Sequence, residues 1–449
     1  MFGFQRKRTP LKNIKEKVIV LGIDGVPFSL LNRFIKDGIM PNLANLSKKG
    51  AFTDMTASIP EVSSTSWSTF MTGVNPGKHG IYGFTELEKG SYRWRFPNSG
   101  DIKSDTLWDI AGRNNKKCIV LNVPSTYPAK KLNGILTAGF VSIDLKKATY
   151  PESAYDYLKD IGYKMDVDTQ KAQESSEELA KDIERTFSSR KQAILHFLDN
   201  HEWDLFIGVI TESDRLHHYL WTALHDEGHP QHGFFIDFYK KLDIFIGEMY
   251  SRYADEIPFI IMSDHGFASI KQEIYINFWL REKGYLRFKK ENPDSFEEIH
   301  PDSKVFALDP ARFYIHLKDK YPLGSVEVNE YEGLRQRLKD ELLSLDFNGN
   351  KVIKTVLLKE NIYSGSQYDN APDLVALPYD GYDLKSSVNK TQLAGRGFLT
   401  GGHTRENAVF FINRPLYKKD INIIDVGPTI ISLLGIKENS FDGRCLLDL

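Results

Sequence analysis

The sequence predicts an α/β protein whose largely parallel sheet is covered by helices on both faces. Two observations carry that expectation. Apolar runs of four to seven residues, separated by helical patterns, recur along the 449-residue chain, and strands so short and uniformly apolar belong in a sheet buried on both sides. Acids and histidines collect where those runs end, which is where parallel sheets carry their functional groups.

The first element is 18-VIVLGIDG-25, an apolar strand ending in an acid and a glycine. In 27-PFSLLNRFIKDG-38, Leu30, Leu31, Phe34 and Ile35 share one helical face and a glycine stops the helix. A second short helix, 41-PNLANLSKKG-50, opens on proline and closes on glycine. Residues 105–114 read as helix and 117–123 as strand. A long polar helix over about 175–200 leads to the strand 204–210, and a helix near 234–250 leads to the strand 258–264. Near the end, 408–412 reads as strand and 425–436 as helix. The stretch from about 270 to 395 differs in character, with strand-like 352–358 and 373–377, a helical 330–345 and many charged loops. It reads as an inserted cap, residues 271–395, beside a core of 18–270 and 396–449; residues 145–200 read as a second, smaller cap element.

The totals exclude several classes. With 41% hydrophobic and 26% charged residues the composition is that of a globular protein. A net charge of -2 offers no bulk attraction to nucleic acid, and no nucleic-acid partner is expected. Cys118 and Cys445 lie far apart and outside any CxxC cluster, so a metal must be held by oxygen and nitrogen. Residues 1–17 read as a basic tail without the apolar stretch of a signal peptide, and no run of about 18 apolar residues suggests a transmembrane helix. Cytoplasmic residence is the resulting expectation.

Four segments carry chemistry-bearing side chains in suggestive company. Asp24 stands at a strand end before glycine, and 263-SDHG-266 places Asp264 and His265 at another. In 212-ESDRLHHYLW-221, Asp214 and His218 are four apart, which on a helix puts them one turn apart on one face, as chelation requires; His217 is the neighbouring alternative. In 400-TGGHTREN-407, His403 sits in a glycine-rich turn that lets the backbone pass close to a ligand. Each segment alone reads as readily as a cap, a turn or a surface pair. Three acids and three histidines together, all at strand exits or in loops, fit a two-metal oxygen/nitrogen site better.

These motifs, with the hydroxyl-rich segment 63-SSTSWSTFMTGVNPGKHGIYGF-84, resemble the alkaline phosphatase superfamily, specifically its type I phosphodiesterase/nucleotide pyrophosphatase branch; their order and placement span some 380 residues. The resemblance implies an alkaline-phosphatase-like, doubly wound core with helices on both faces and an inserted cap. It also implies two divalent ions, commonly zinc with manganese or iron also suited, and a serine or threonine nucleophile that forms a covalent phosphoryl-enzyme. Carried over by position, one metal takes Asp214, His218 and His403; the other takes Asp24, Asp264, His265 and the nucleophile oxygen. The family's nucleophile lies nine residues before the threonine of a T-G pair, and counting back from Thr72 reaches Ser63, with Ser64 its nearest competitor. Ser66 occupies the position of a substrate-binding asparagine in nucleotide-cleaving relatives, where a serine reaches less far.

The expected reaction is hydrolysis of a small-molecule, lipid or nucleotide-type phosphodiester or phosphoanhydride through a phosphoryl-serine. Two divalent cations balance three carboxylates and an alkoxide, and a nearly neutral site suits a singly charged diester better than a dianionic monoester. No arginine lies within four residues after Ser63 to take such a dianion; Arg405, beside His403, is placed to do so from elsewhere. The alternatives are a phosphomonoesterase, phosphonate hydrolase or phosphoryl transferase of the same superfamily, or a non-catalytic phosphate- or metal-binding protein.

Overall fold

The computed structural model describes residues 16–254 and 256–448. Most of the basic tail read from the sequence therefore lies outside the described residues. Its end does not: Lys17 is buried, and its ammonium sits over the Trp203 ring at 4.6 Å.

Eight strands form the central sheet: β1 (Val18–Ile23), β2 (Ala51–Met55), β3 (Cys118–Val123), β4 (Gly134–Ala138), β5 (Thr149–Tyr150), β6 (Leu205–Ile210), β7 (Phe259–Met262) and β8 (Ala408–Ile412). Their order is β2-β8-β7-β1-β6-β3-β4-β5. All neighbours pair parallel except at β8, antiparallel to both its neighbours, and at the edge pair β4–β5. The all-apolar runs of the sequence are the inner strands. The short or half-polar strands β2, β4 and β5 give no such signal because each sits at or near an edge.

Strand alternation divides the core into two layers. Ile19, Leu21 and Ile23 of β1 pack with Leu31, Phe34, Phe238 and Phe245 from the helices Phe28–Lys36 and His232–Met249. Val18 and Val20 face the other way, toward Trp67, Phe70 and Ile430 of the helices Ser63–Thr72 and Ile423–Leu433. The helix Ser176–Asn200 belongs to the first layer, with Leu179, Ile183, Phe187, Ile194 and Phe197 buried there. The expectation of a second cap over 145–200 is thus corrected: the helix is polar on average yet carries a continuous apolar stripe that the sheet covers.

Residues after β7 build a separate hydrophobic cluster. A four-stranded antiparallel sheet (Val305–Leu308, Arg312–Ile315, Leu374–Pro378, Ile353–Leu358) packs with the helices Ile276–Glu282 and Tyr331–Leu343. Two ribbons join it to the core. Gly266–Ser269 pairs with Gly401–Thr404, and Gln272–Tyr275 lies between Tyr382–Lys385 and Ala394–Gly395. Among the described residues no helix is long and apolar enough to cross a membrane.

Candidate metal and nucleophile centre

Strands β7, β1 and β6 are adjacent and parallel, so their carboxyl ends open side by side. Asp24 follows β1, Asp264 and His265 follow β7, and the helix Glu212–His225 after β6 carries Asp214 and His218. The remaining imidazole comes from far along the chain: the ribbon register sets His403 opposite Phe267, two residues beyond His265. The rings of His265 and His403 stack with centroids 3.7 Å apart.

The predicted side chains meet in one buried cluster. Asp214 Oδ1 is 3.4 Å from both His218 Nε2 and His403 Nε2, and those two nitrogens are 2.9 Å apart. His265 Nε2 is 3.4 Å from Asp264 Oδ2, 3.8 Å from Asp24 Oδ1 and 4.0 Å from Asp214 Oδ1, so it joins the two groups. Ser63 Oγ stands 3.3 Å from Asp24 Oδ1 and 3.1 Å from His265 Nε2. Ser64 does not share the cluster; its hydroxyl is buried without a hydrogen bond and lines a narrow cleft with Phe84 and Phe140. Ser66, expected as a substrate donor, is fully buried with its hydroxyl 2.8 Å from that of Ser58. The helix begins at Ser63 itself, and this turns Ser66 into the interior.

The surroundings fix which atoms face inward. His218, His265 and His403 each direct Nδ1 at a backbone carbonyl, of Gly401 at 3.0 Å, Gly266 at 3.0 Å and Glu61 at 3.1 Å. A carbonyl only accepts, so each Nδ1 carries the proton and each Nε2 presents a lone pair to the cluster. His217 has no nitrogen to spare: Nδ1 donates to the Gly25 carbonyl at 2.8 Å and Nε2 accepts from the Tyr239 hydroxyl at 2.6 Å. One residue along the helix turns it away from His218 into the aromatic core.

Electrostatics sharpen the picture. Burial lowers the pKa values of His218 and His403, and takes His265 down to about 4, keeping all three neutral. Burial and the charges of Asp264 and Asp214 raise Asp24, while Asp264 is pushed up to about 7, chiefly by burial. Burial also raises Asp214, yet its carboxylate is held well below the usual range, and with the imidazoles neutral the positive charge that does this is the Arg215 guanidinium. Arg215 donates to Asp214 Oδ2 at 2.9 Å and grips Asp166 with Nε and Nη2 at 3.1 and 2.7 Å. Neither Arg215 nor Asp166 stands out in the sequence.

These residues fit divalent cations. Two Nε2 lone pairs facing each other at 2.9 Å repel unless a proton or cation lies between them, and burial disfavours the proton. Asp214 Oδ1 and Asp264 Oδ2 are buried oxygens without hydrogen-bond partners, a costly state that coordination relieves. Two triads, Asp214–His265–His403 and Asp24–Asp264–His265, hold their ligand atoms within 4.8 Å of one another. Mixed carboxylate and imidazole donors suit zinc, manganese or iron.

Beside His218 and His403 opens a cavity of about 310 Å³ between the core and the inserted sheet, walled by Val62, Phe84, Leu377, Leu384 and Leu399. Among the described residues Lys385 is the one lysine or arginine lining it, paired with Asp383 at 2.7 Å. Arg405 lines an adjoining cavity that shares Glu61, Gly402 and His403 with this one.

Known proteins repeat this architecture. Phosphonoacetate hydrolase from Sinorhizobium meliloti 1021, solved with phosphonoacetate, superposes with a TM-score of 0.66 at 17% identity, over 94% of this chain and 96% of that one. Murine ectonucleotide pyrophosphatase/phosphodiesterase 5, solved as an inactive variant with AMP, gives 0.58 at 15% identity, over 96% and 97%. The human counterpart of the latter gives 0.56 at 15% identity, over 95% and 97%. No curated protein sequence matches the chain. The sequence profile of the type I phosphodiesterase/nucleotide pyrophosphatase family matches residues 18–407, a span that holds every side chain of the cluster, and the chain therefore belongs to that family, within the alkaline phosphatase superfamily.

Proposed function

We propose that this protein is a metal-dependent hydrolase of phosphodiester or phosphoanhydride bonds that works through a phosphoryl-serine on Ser63. The observation that carries the reading is the convergence of three Nε2 lone pairs and two unpartnered carboxylate oxygens beside one buried hydroxyl. Asp214, His218 and His403 would hold one cation, and Asp24, Asp264, His265 and Ser63 the other. When bound, such a pair lowers the pKa of the serine hydroxyl and offsets charge on the phosphoryl group.

The chain's own residues do the rest. Ser63 opens a helix whose N-cap, Val62, offers no side-chain cap, so the first amides remain to receive phosphoryl oxygens. The Ser63 hydroxyl lies 3.3 Å from Asp24 Oδ1 and 3.1 Å from His265 Nε2, the atoms that would hold the cation, so its oxygen is already aimed at the place where the cation would activate it. Attack on phosphorus expels an alcohol or nucleotide into the apolar cavity, and water then cleaves the phosphoryl-serine. The region between β7 and β8 would select the substrate through that cavity's walls.

Charge supports a diester over a monoester. Arg215 adds one positive charge but is committed to Asp214 and Asp166, and among the described residues no arginine lines the cavity beside His218 to take a dianion. A phosphonate hydrolase is the second reading, favoured by Lys385, a cation that a substrate carboxylate could meet beside His218. The test compares kcat/KM of the metal-loaded chain on a bis-aryl phosphate, the aryl monoester and phosphonoacetate. The diester should lead by at least about tenfold, and Ser63→Ala should lose about three orders of magnitude on it. A preference for either of the other substrates overturns the diesterase reading.

A further inference from the structure

The loops at the catalytic end of the sheet carry an apolar surface that the reaction does not use. Ile143 is 82% exposed, Trp94 54%, Phe96 47% and Val141 43%. These are four of the nine large apolar side chains exposed among the described residues. They come from separate segments tied into one surface. The Ser125 amide donates to the Phe140 carbonyl at 3.1 Å and the Ser99 amide to that of Tyr127 at 2.8 Å, while Pro97, Phe140 and Val141 line one cleft with Ser64. Trp94 and Phe96 meet edge to face at 5.2 Å.

Two further features say what covers this surface. Lysines flank it: Lys146 and Lys147 follow Ile143 on the same exposed loop, and the Ala129 amide, bonded to the Lys147 carbonyl at 2.9 Å, brings Lys130 alongside. Glu152 pairs with Lys146 and Glu88 with Arg93, and Asp144 accepts the amides of Lys146 and Lys147 while keeping its charge, so the surplus positive charge of this surface rests on Lys130 and Lys147. Basic side chains around exposed Trp, Phe and Ile match an anionic lipid surface, where aromatic rings settle at headgroup depth and lysines meet phosphate. The second feature is an apolar path inward. Phe84 lies 5.5 Å from Phe140 of the surface cleft and also walls the cavity beside His218.

We propose that these loops dock the protein on an anionic lipid bilayer, with the reaction cavity facing the membrane and a lipid phosphodiester entering past Phe140 and Phe84. Docking stands independently of the chemistry; the lipid substrate rests on the hydrolase reading above. The test is co-sedimentation of the full chain with vesicles of phosphatidylcholine alone and with about 30% phosphatidylglycerol. Binding is expected to the anionic vesicles only and to weaken in high salt. Ile143→Glu and Trp94→Glu should each lower the bound fraction several-fold, and Lys130→Glu with Lys147→Glu should abolish it. All variants should hydrolyse a soluble bis-aryl diester within about twofold of the parent, which shows that they fold. Should the parent fail on that diester, the hydrolase reading falls while sedimentation still decides docking. Absence of vesicle binding overturns the proposal, as does binding that Ile143→Glu and Trp94→Glu leave unchanged. So does a dimer seen by light scattering that Ile143→Glu dissolves without any vesicle binding, since a second copy would then be the occupant.

Discussion

At Gly25 the backbone turns with φ of +66°, and a Cβ built there would lie 2.9 Å from Phe267, 3.1 Å from Asp214 Oδ1 and 3.1 Å from His265 Cε1. The same residue donates its amide to Asp264 Oδ1 at 3.1 Å and offers its carbonyl to His217. Gly25→Ala should therefore destabilise the fold by about 2 kcal/mol from the left-handed backbone and crowding together, measured by urea unfolding. It should also weaken cation affinity by at least about tenfold, measured by titration calorimetry. Asp24, Asp264 and His265 are legible in the sequence because they stand where apolar runs end, and Asp214 with His218 because of their helical spacing. What escapes it is the backbone's share. The carbonyls of Glu61, Gly266 and Gly401 that set three imidazole tautomers leave no trace in residue identity. Arg215 and Asp166 are far apart in sequence and become a pair only once the loop after the helix Glu152–Asp160 reaches Arg215.

The helix Ser63–Thr72 is buried along its whole length although seven of its ten residues carry hydroxyls. Ser68 and Thr72 donate to the carbonyls four residues back, each at 2.6 Å, and Ser66 pairs with Ser58, whereas the buried hydroxyls of Ser64 and Thr65 have no hydrogen-bond partner. Its periodicity is therefore invisible to an apolar-pattern reading, which recognises the element mainly by its C-terminal Thr72–Gly73. Thr69 reaches out instead, its hydroxyl 3.0 Å from His79 Nε2, while His79 Nδ1 accepts the Ile81 amide at 3.2 Å. That buried imidazole must stay neutral, and burial takes its pKa down to about 3. The unfolded chain, with an ordinary histidine pKa of about 6.5, binds the proton more readily across that interval. Stability from His79 is therefore full above about pH 6.5 and falls as the pH drops toward 3, by up to about 1.4 kcal/mol per unit. In urea titrations from pH 7 to 5, His79→Gln should be less stable at pH 7 and show a shallower acid loss than the parent; parallel curves would mean that this histidine is not the titrating group.

Across the whole molecule, the cluster joins β1, β6 and β7 to a ribbon from a distant part of the sequence, so a cation held there would act as a cross-link of the folded state. At a free concentration about a thousandfold above Kd, one cation adds about 4 kcal/mol. Dialysis against a chelator should lower Tm by at least about 5 °C, and zinc or manganese should restore it, read by scanning calorimetry. A Tm indifferent to the chelator would show that the carboxylates hold protons instead. The two-layer architecture is legible in the sequence because the inner strands are uniformly apolar, whereas the strand order is not, since pairing partners lie hundreds of residues apart. The position of β8 has one more consequence. It is antiparallel, late in the chain, and inserted between β2 and β7 rather than added at an edge. During synthesis, β2 has no hydrogen-bonded neighbour until residues 408–412 leave the ribosome, and His403 emerges only five residues before them. Closure of the sheet and completion of the ligand set thus coincide during translation, so a nascent chain arrested at residue 400 has neither.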